Sequence, residues 1–132
     1  MKEIKFRAWD VRSKKMFMVE KMTFRTNHDV FRLWGKEHFE PDEFHIENPD
    51  DCILEQFTGF QDSEGKDIYE GDTLRGVKPI CDNEHWTVYF CLNQGLWEVQ
   101  FSGWTAIHTL SYLINEGNDK YKIIGNIHEV KS

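Results

Sequence analysis

The sequence lacks the hydrophobic segments that would carry the chain into or across a membrane. No stretch approaches the roughly 20 consecutive apolar residues of a membrane-spanning helix. The first residues, MKEIKFR, carry charges where a signal peptide would have an apolar run. We therefore expect that Met1 is the true start of the protein, that the protein stays in the cytoplasm, and that it has no membrane partner.

Cysteine and the common catalytic motifs are also scarce. The three cysteines, Cys52, Cys81 and Cys91, are an odd number at wide spacings, so we expect reduced, mostly buried thiols rather than a disulfide framework. The chain has no Gly-x-Ser-x-Gly elbow, no Walker phosphate loop, and no Cys-x-x-Cys or His-x-x-x-His ligand pair. The sequence therefore predicts a non-enzymatic protein without catalytic residues, bound metal or cofactor.

Aromatic residues are plentiful, with ten Phe, five Trp and four Tyr in 132 residues. They supply much of the apolar area that a chain of this length needs for a core. We interpret the tryptophans first as core residues, second as part of a homomeric interface, and third as a stacking platform for single-stranded nucleic acid.

Charge is unevenly distributed along the chain, whose net charge is −7. Residues 1–36 hold ten basic and four acidic residues, whereas residues 37–51 hold seven acids and no Lys or Arg. The basic segment could meet nucleic acid, or it could pair with acidic surface within the chain or on a second copy. The acidic net charge disfavours duplex binding unless the basic residues form one patch.

Alternating apolar and polar residues predict several strands. The predicted strands cover residues 4–9, 16–24, 52–58, 73–78, 85–92, 96–101 and 121–128. A helix is predicted over about residues 105–116, capped by Thr105 and ended by Gly117. This order predicts an α+β, mainly β fold, either a strongly bent antiparallel sheet or an SH3-like barrel, with an N-terminal β-hairpin and one short helix.

We interpret the chain as a single domain with three parts. Residues 1–25 form the N-terminal hairpin, residues 26–51 a variable acidic loop region, and residues 52–132 a barrel-like core. Within the middle part, residues 30–34 could form a short strand or one or two helical turns. Residues 37–51, which contain Pro41 and Pro49, are predicted to be a loop or an edge segment.

Five carboxylates between residues 62 and 72 could in principle hold a hard cation such as Ca²⁺. Their spacing does not fit an EF-hand loop, because Gly65 is fourth from Asp62 and the twelfth position is Thr73. Asp-x-x-Gly and Glu-Gly-Asp are typical of turns, in which Asp side chains accept hydrogen bonds from local backbone amides. The turn interpretation is favoured, and a metal-dependent hydrolase is the weaker alternative.

Three short blocks carry a family resemblance. The first is Lys5-Phe6-Arg7-Ala8-Trp9-Asp10. The second is Gln56-Phe57-Thr58-Gly59, followed by Asp62, Gly65, Lys66 and Ile68-Tyr69-Glu70-Gly71-Asp72. The third is Ile124-Gly125-Asn126-Ile127-His128-Glu129. In this order and spacing they resemble the YopX family of phage and prophage proteins. The resemblance implies a bacterial host cell and self-assembly into a homo-oligomer, and it transfers no active site.

The leading hypothesis is therefore a phage or prophage protein that acts through self-association or by binding a host or phage protein. The predicted interaction surface consists of Lys5, Arg7, Trp9, Lys14, Lys15 and Trp34. A nucleic-acid-binding barrel that uses the basic N-terminal hairpin is the alternative.

Overall fold

The computed structural model describes residues 3–24, 30–37, 43–46, 51–102, 107–117 and 119–129, with the backbone alone described between 21 and 46. The chain divides into two compact units. The N-terminal unit is Glu3–Gln56, and the C-terminal unit begins at Phe57.

The N-terminal unit is an antiparallel sheet. Its strands are β1 (Phe6–Asp10), β2 (Lys15–Phe24), β3 (Val30–Glu37), β4 (Glu43–Ile46) and the first half of β5 (Cys52–Gln61), in the order β4-β3-β2-β1-β5. Ala8 and Phe17 are buried at its centre, because both stand on the same face at paired positions of β1 and β2. Asp10 closes the β1–β2 turn by accepting hydrogen bonds from the Arg12 backbone amide and the Ser13 hydroxyl.

The C-terminal unit contains a five-stranded antiparallel sheet and one helix. Its elements after β5 are β6 (Asp67–Tyr69), β7 (Asp72–Gly76), β8 (Trp86–Cys91), β9 (Leu96–Phe101), β10 (Ile107–Thr109), α1 (Leu110–Glu116) and β11 (Tyr121–Asn126). The sheet has the order β10-β9-β8-β7-β11, and β6 pairs with the second half of β5. Leu110 and Leu113 of the helix join Leu74, Val88 and Val99 in the larger core.

The glycine- and aspartate-rich centre forms turns, as the sequence predicted. Asp62 Oδ1 accepts hydrogen bonds from the backbone amides of Glu64 and Lys66, both at 2.9 Å. Asp72 Oδ2 accepts one from the Tyr69 amide at 2.8 Å. Gly65 and Gly71 have φ values of 82° and 87°, a region that favours glycine. Both side-chain carboxylates thus accept hydrogen bonds from backbone amides.

The predicted fold class is confirmed, with differences at element boundaries. The sheet of the C-terminal unit is open among the described strands, with β10 and β11 at its edges, which agrees with a bent sheet and not with a closed barrel. The helix is shorter than predicted because residues 107–109 pair with β9 instead. Thr109, rather than Thr105, caps it by accepting a hydrogen bond from the Tyr112 amide at 3.1 Å. Thr105 lies outside the described residues.

The middle of the chain contains two strands where the sequence left the structure undecided. Residues 30–37 form β3 rather than helical turns, and β3 pairs with both β2 and β4. Strand β4 falls within the predicted loop or edge segment, and it is an edge strand of the described sheet. Within the described part of the chain, no helix has the length and apolar character needed to cross a membrane.

Candidate functional site

The C-terminal unit contains a pocket with a volume of about 330 Å³. Its lining comes from the loop before β8, from the facing ends of β8 and β9, and from β10, the helix and the start of β11. We call it the acidic aromatic pocket. Its lining residues are Lys78, Ile80, Glu84, Trp86, Phe101, His108, Tyr112, Leu113, Gly117, Asp119 and Tyr121.

Aromatic rings form the walls of the pocket. Trp86 and Phe101 are cross-strand neighbours on β8 and β9, so the pleat places their rings on one face, with centroids 4.9 Å apart. The His108 ring lies 5.5 Å from Trp86 and stacks on Tyr112 at 5.1 Å. Tyr121 meets Trp86 edge-on at 6.4 Å. Tyr112 is 46% exposed and therefore stands at the mouth of the pocket.

A buried carboxylate lies among these rings. The Glu84 side chain belongs to a residue that is 2% exposed, and its Oε1 accepts a hydrogen bond from Trp86 Nε1 at 3.3 Å. Its Oε2 is buried and has no hydrogen-bond partner within the described residues. We call this atom the open oxygen. Burying a carboxylate oxygen without a partner is costly, which makes the open oxygen the most unusual feature of the pocket.

A second carboxylate converges on the same place. Asp119 Oδ2 accepts a hydrogen bond from the Lys78 backbone amide at 2.8 Å, and its Oδ1 accepts one from the Lys120 amide at 2.7 Å. A Cβ atom built on Gly76 would overlap Asp119 Oδ2 and would lie 3.3 Å from the open oxygen. Glycine at position 76 therefore lets both carboxylates approach the end of β7.

The electrostatic consequence is visible at Tyr121. Burial raises the pKa of this phenol, and the negative charges of Glu84 and Asp119 raise it further, with a smaller contribution from Tyr112. The wall of the pocket formed by Tyr121 thus lies in a negative field. A phenol in this setting keeps its proton and remains a hydrogen-bond donor at neutral pH.

These groups suit the binding of a positive charge. Carboxylate oxygens accept hydrogen bonds from cations, and aromatic faces attract them. Among the described lining residues there is no serine, threonine or cysteine that could act as an ordinary nucleophile. The described residues also contain no group of three or more His, Cys, Asp or Glu side chains arranged to hold a metal ion.

The carboxylates of residues 62–72 do not form such a pocket. Asp62 and Asp72 are occupied by backbone amides, as described above, and Asp62 Oδ2 also accepts a hydrogen bond from the Ile123 amide at 3.0 Å. Asp67 Oδ1 accepts a hydrogen bond from the Gln61 side chain at 3.1 Å. These contacts give the segment a structural role at the junction of β5, β6 and β11.

The predicted interaction surface is distributed over the N-terminal unit. Arg7 is buried and pairs with the buried Glu55, with Nε and Oε1 2.8 Å apart. Lys5 lies 3.6 Å from Glu3. Trp9 is half-buried on β1.

Two further residues of the predicted interaction surface lie at the β1–β2 turn. Lys14 and Lys15 are exposed there, and Lys14 has a φ of 57°. Trp34 lies on β3, where the backbone pairs it with Lys21 and His45, and its side chain lies outside the description. The six residues as an interaction surface remain a prediction.

The sequence did not single out Glu84, Asp119, Tyr112 and Tyr121, which line the pocket. They come from separate elements, and each stands in a segment without a recognisable motif. The abundance of aromatic residues was the available signal, and Trp86 was correctly interpreted as a core residue. Nothing near position 76 in the sequence indicates that glycine is needed there. The need arises because Asp119, which is distant in the chain, leaves no room for a Cβ atom.

Comparisons with known proteins identify the family and the fold of the chain. The described residues define a mainly antiparallel β protein of two units with a ligand-sized pocket. A family model described as YopX protein matches residues 5–131, so the chain belongs to the YopX family, which confirms the resemblance carried by the three sequence blocks. A search of curated proteins finds no match to the chain.

Two solved structures share the fold. The crystal structure of protein EF1440 from Enterococcus faecalis is 20% identical in sequence, with a TM-score of 0.65 over 98% of this chain and 96% of that chain. The crystal structure of protein yopX from Bacillus subtilis is 12% identical, with a TM-score of 0.54 over 97% of this chain and 94% of that chain. At these identities, the likeness establishes a common architecture.

Proposed function

We propose that this YopX-family protein is a non-enzymatic phage or prophage protein that acts in the cytoplasm of a bacterial host by binding another protein chain. The partner is a second copy of the chain or a host or phage protein. The observation that carries the proposal is the acidic aromatic pocket, which offers anchoring groups around the open oxygen. Deep pockets lined by aromatic residues are where protein interfaces concentrate their binding energy.

An exposed apolar surface supports the same proposal. The β8–β9 hairpin ends in Leu92, which is 87% exposed, and Phe90 packs its ring against Trp97 with centroids 4.9 Å apart. Phe90 itself is partly exposed. Apolar side chains at the end of a hairpin are suited to contact with another protein.

The ion pairs of the N-terminal unit favour a protein partner over nucleic acid. Arg7, Lys5 and Arg12 each contact a carboxylate of the same unit, the last of them Asp51 at 3.3 Å. Positive charge that is compensated in this way attracts phosphate less strongly. A gel shift at low ionic strength with single- and double-stranded probes tests the alternative, and a clear shift there would favour nucleic acid.

The proposal is tested by light scattering after size-exclusion chromatography at micromolar concentrations. We expect a defined oligomer, or a stoichiometric complex with a host or phage protein. Leu92→Asp and Tyr112→Ala should each weaken the assembly, since Leu92 is exposed at the tip of the β8–β9 hairpin and Tyr112 is exposed at the mouth of the pocket. Glu116→Gln is the control, because Glu116 is exposed at the end of the helix and does not line the pocket. A monomer that forms no complex would contradict the proposal.

A further inference from the structure

We propose that the acidic aromatic pocket binds the ammonium group of a lysine side chain presented by the protein partner. This inference rests on the proposed function and specifies the chemistry of its central contact. Because the open oxygen is buried in the free protein, the ammonium reaches it only after the surrounding side chains shift. The alkyl stem of the lysine lies between the aromatic walls.

The charge of the pocket favours a cation. Glu84 is almost completely buried, and within the described residues its open oxygen accepts no hydrogen bond. A carboxylate that is taken out of water needs a positive partner or several hydrogen-bond donors. Asp119 adds a second carboxylate beside Gly76. Burial is the main cause of the raised pKa of Tyr121, and the charges of Glu84 and Asp119 raise it further. A bound cation would compensate both charges at once.

The walls of the pocket suit both the charge and the stem of a lysine. Trp86, Tyr112 and Tyr121 present π systems, which attract an ammonium group within about 6 Å of the ring centre. Phe101 and Leu113 provide apolar surface for methylene groups. Lysine combines a compact charge with a four-carbon apolar stem, so its two parts match these two kinds of surface.

The hydrogen bonds of the two carboxylates favour lysine over arginine. A guanidinium group binds best when both oxygens of a carboxylate are available to its parallel N–H groups. Here Glu84 Oε1 already accepts the Trp86 indole N–H, and Asp119 uses both of its oxygens for backbone amides. The open oxygen therefore offers a single acceptor, which suits the point charge of an ammonium group.

The rim of the pocket favours a lysine that belongs to a protein chain. The mouth of the pocket carries Tyr112 and also Ile80, which is 67% exposed. Residues on either side of a bound lysine would cover these apolar groups, whereas a small free amine would leave them in water. Lys78 is exposed at the same rim, so the partner residues next to the lysine should be neutral or acidic rather than basic.

The experiment titrates the folded protein with short peptides. The probe is an acetylated and amidated Ala-Ala-Lys-Ala-Ala peptide, and its matched controls carry norleucine, acetyl-lysine or arginine in place of lysine. Binding is measured by calorimetry and by two-dimensional ¹⁵N NMR, in which the Trp86 indole N–H reports on the pocket directly. We expect the lysine peptide to shift this signal, the arginine peptide to bind more weakly, and the two neutral peptides to have no effect.

Variants of the protein assign the contact. Glu84→Gln should weaken binding of the lysine peptide by about 10- to 100-fold, because it removes a charge-assisted hydrogen bond. Tyr112→Leu should weaken binding by a few-fold, since it keeps apolar area but removes a π face. Glu116→Gln removes the same charge from an exposed site and should leave the affinity unchanged. Circular dichroism and thermal melting establish that each variant is folded before binding is compared.

Several outcomes would overturn the inference. Equal binding of the norleucine peptide would show that charge is irrelevant, and unchanged affinity in Glu84→Gln would show that the open oxygen is not the acceptor. Binding of spermidine without binding of the lysine peptide would make the ligand a free amine. A complex or oligomer that persists in Glu84→Gln would leave the proposed function intact and reject the lysine contact. Absence of any complex would reject both.

Discussion

Replacement of Glu84 by glutamine should make the free protein more stable while it weakens ligand binding. Glutamine has nearly the same volume as glutamate, and its side-chain oxygen can still accept the hydrogen bond from Trp86 Nε1, which spans 3.3 Å. The substitution therefore changes chiefly the charge at a residue that is 2% exposed.

The magnitude follows from the environment of the open oxygen. A buried polar atom without a partner costs about 1–3 kcal/mol, and more when the group is charged. The glutamine amide would itself be incompletely paired, so part of this cost remains. We expect the free energy of unfolding to rise by about 1–2 kcal/mol at neutral pH. For a unit of this size, 1 kcal/mol corresponds to a rise of about 4–8 °C in Tm.

The assay is urea unfolding followed by tryptophan fluorescence, with Glu116→Gln as the matched control. The control should change the free energy of unfolding by less than about 0.5 kcal/mol, as is usual for exposed sites. Destabilisation of Glu84→Gln by more than about 1 kcal/mol would show that the carboxylate stabilises the free protein. In that case, the stability of the free protein would explain Glu84 without a ligand.

Three further predictions concern groups outside the pocket. Arg7→Met should lower the free energy of unfolding by about 3–5 kcal/mol in a urea titration, because Glu55 would keep a buried charge without its cation, and a second change of Glu55→Leu should recover most of the loss. Asp62→Ala should lower the free energy of unfolding by at least about 3 kcal/mol, since this carboxylate accepts hydrogen bonds from three backbone amides. The free energy of unfolding of Asp62→Asn should lie between those of the unmodified protein and Asp62→Ala. Burial, followed by two neighbouring aspartates, raises the pKa of the Cys52 thiol, so the stability that this thiol contributes is complete below about pH 8.5 and is lost as the pH rises through the raised pKa. In a thiol-labelling assay at about pH 8.5, Cys52 should react more slowly than the exposed Cys81. Equal rates would contradict this prediction.

Local signals in the sequence predicted the hairpins well. Strand β9 has the predicted bounds, Leu96–Phe101, because alternation and a nearby glycine turn define both of its ends. The turn role of Asp62 was also predictable, since Asp followed by Gly65 is a local pattern. The helix boundary was less predictable, because residues 107–109 belong to a strand through their pairing with β9.

The pocket could not be predicted from the same signals. Its two carboxylates, Glu84 and Asp119, come together through pairing of distant strands, and no local spacing encodes their distance. Within the described part of the chain, the open oxygen of Glu84 is buried and lacks a hydrogen-bond donor only because of the residues that the fold packs around it. Sequence reasoning therefore looked for chemistry in the acidic segment 62–72, where many carboxylates are neighbours in the chain but are occupied by backbone amides.

The hydrogen bond between Asp62 and the Ile123 amide has a consequence for the order in which the chain folds. It joins two groups that are 61 positions apart, and β7 likewise needs β11 as its neighbour. Contacts of such long range form slowly, because a large loop must close before they are gained. During synthesis, the strands of Glu3–Gln56 can pair as soon as they leave the ribosome, whereas the second sheet is complete only after Tyr121–Asn126 has emerged and paired with β7. Until then, β7 keeps an unpaired edge that a chaperone or a neighbouring nascent chain could occupy.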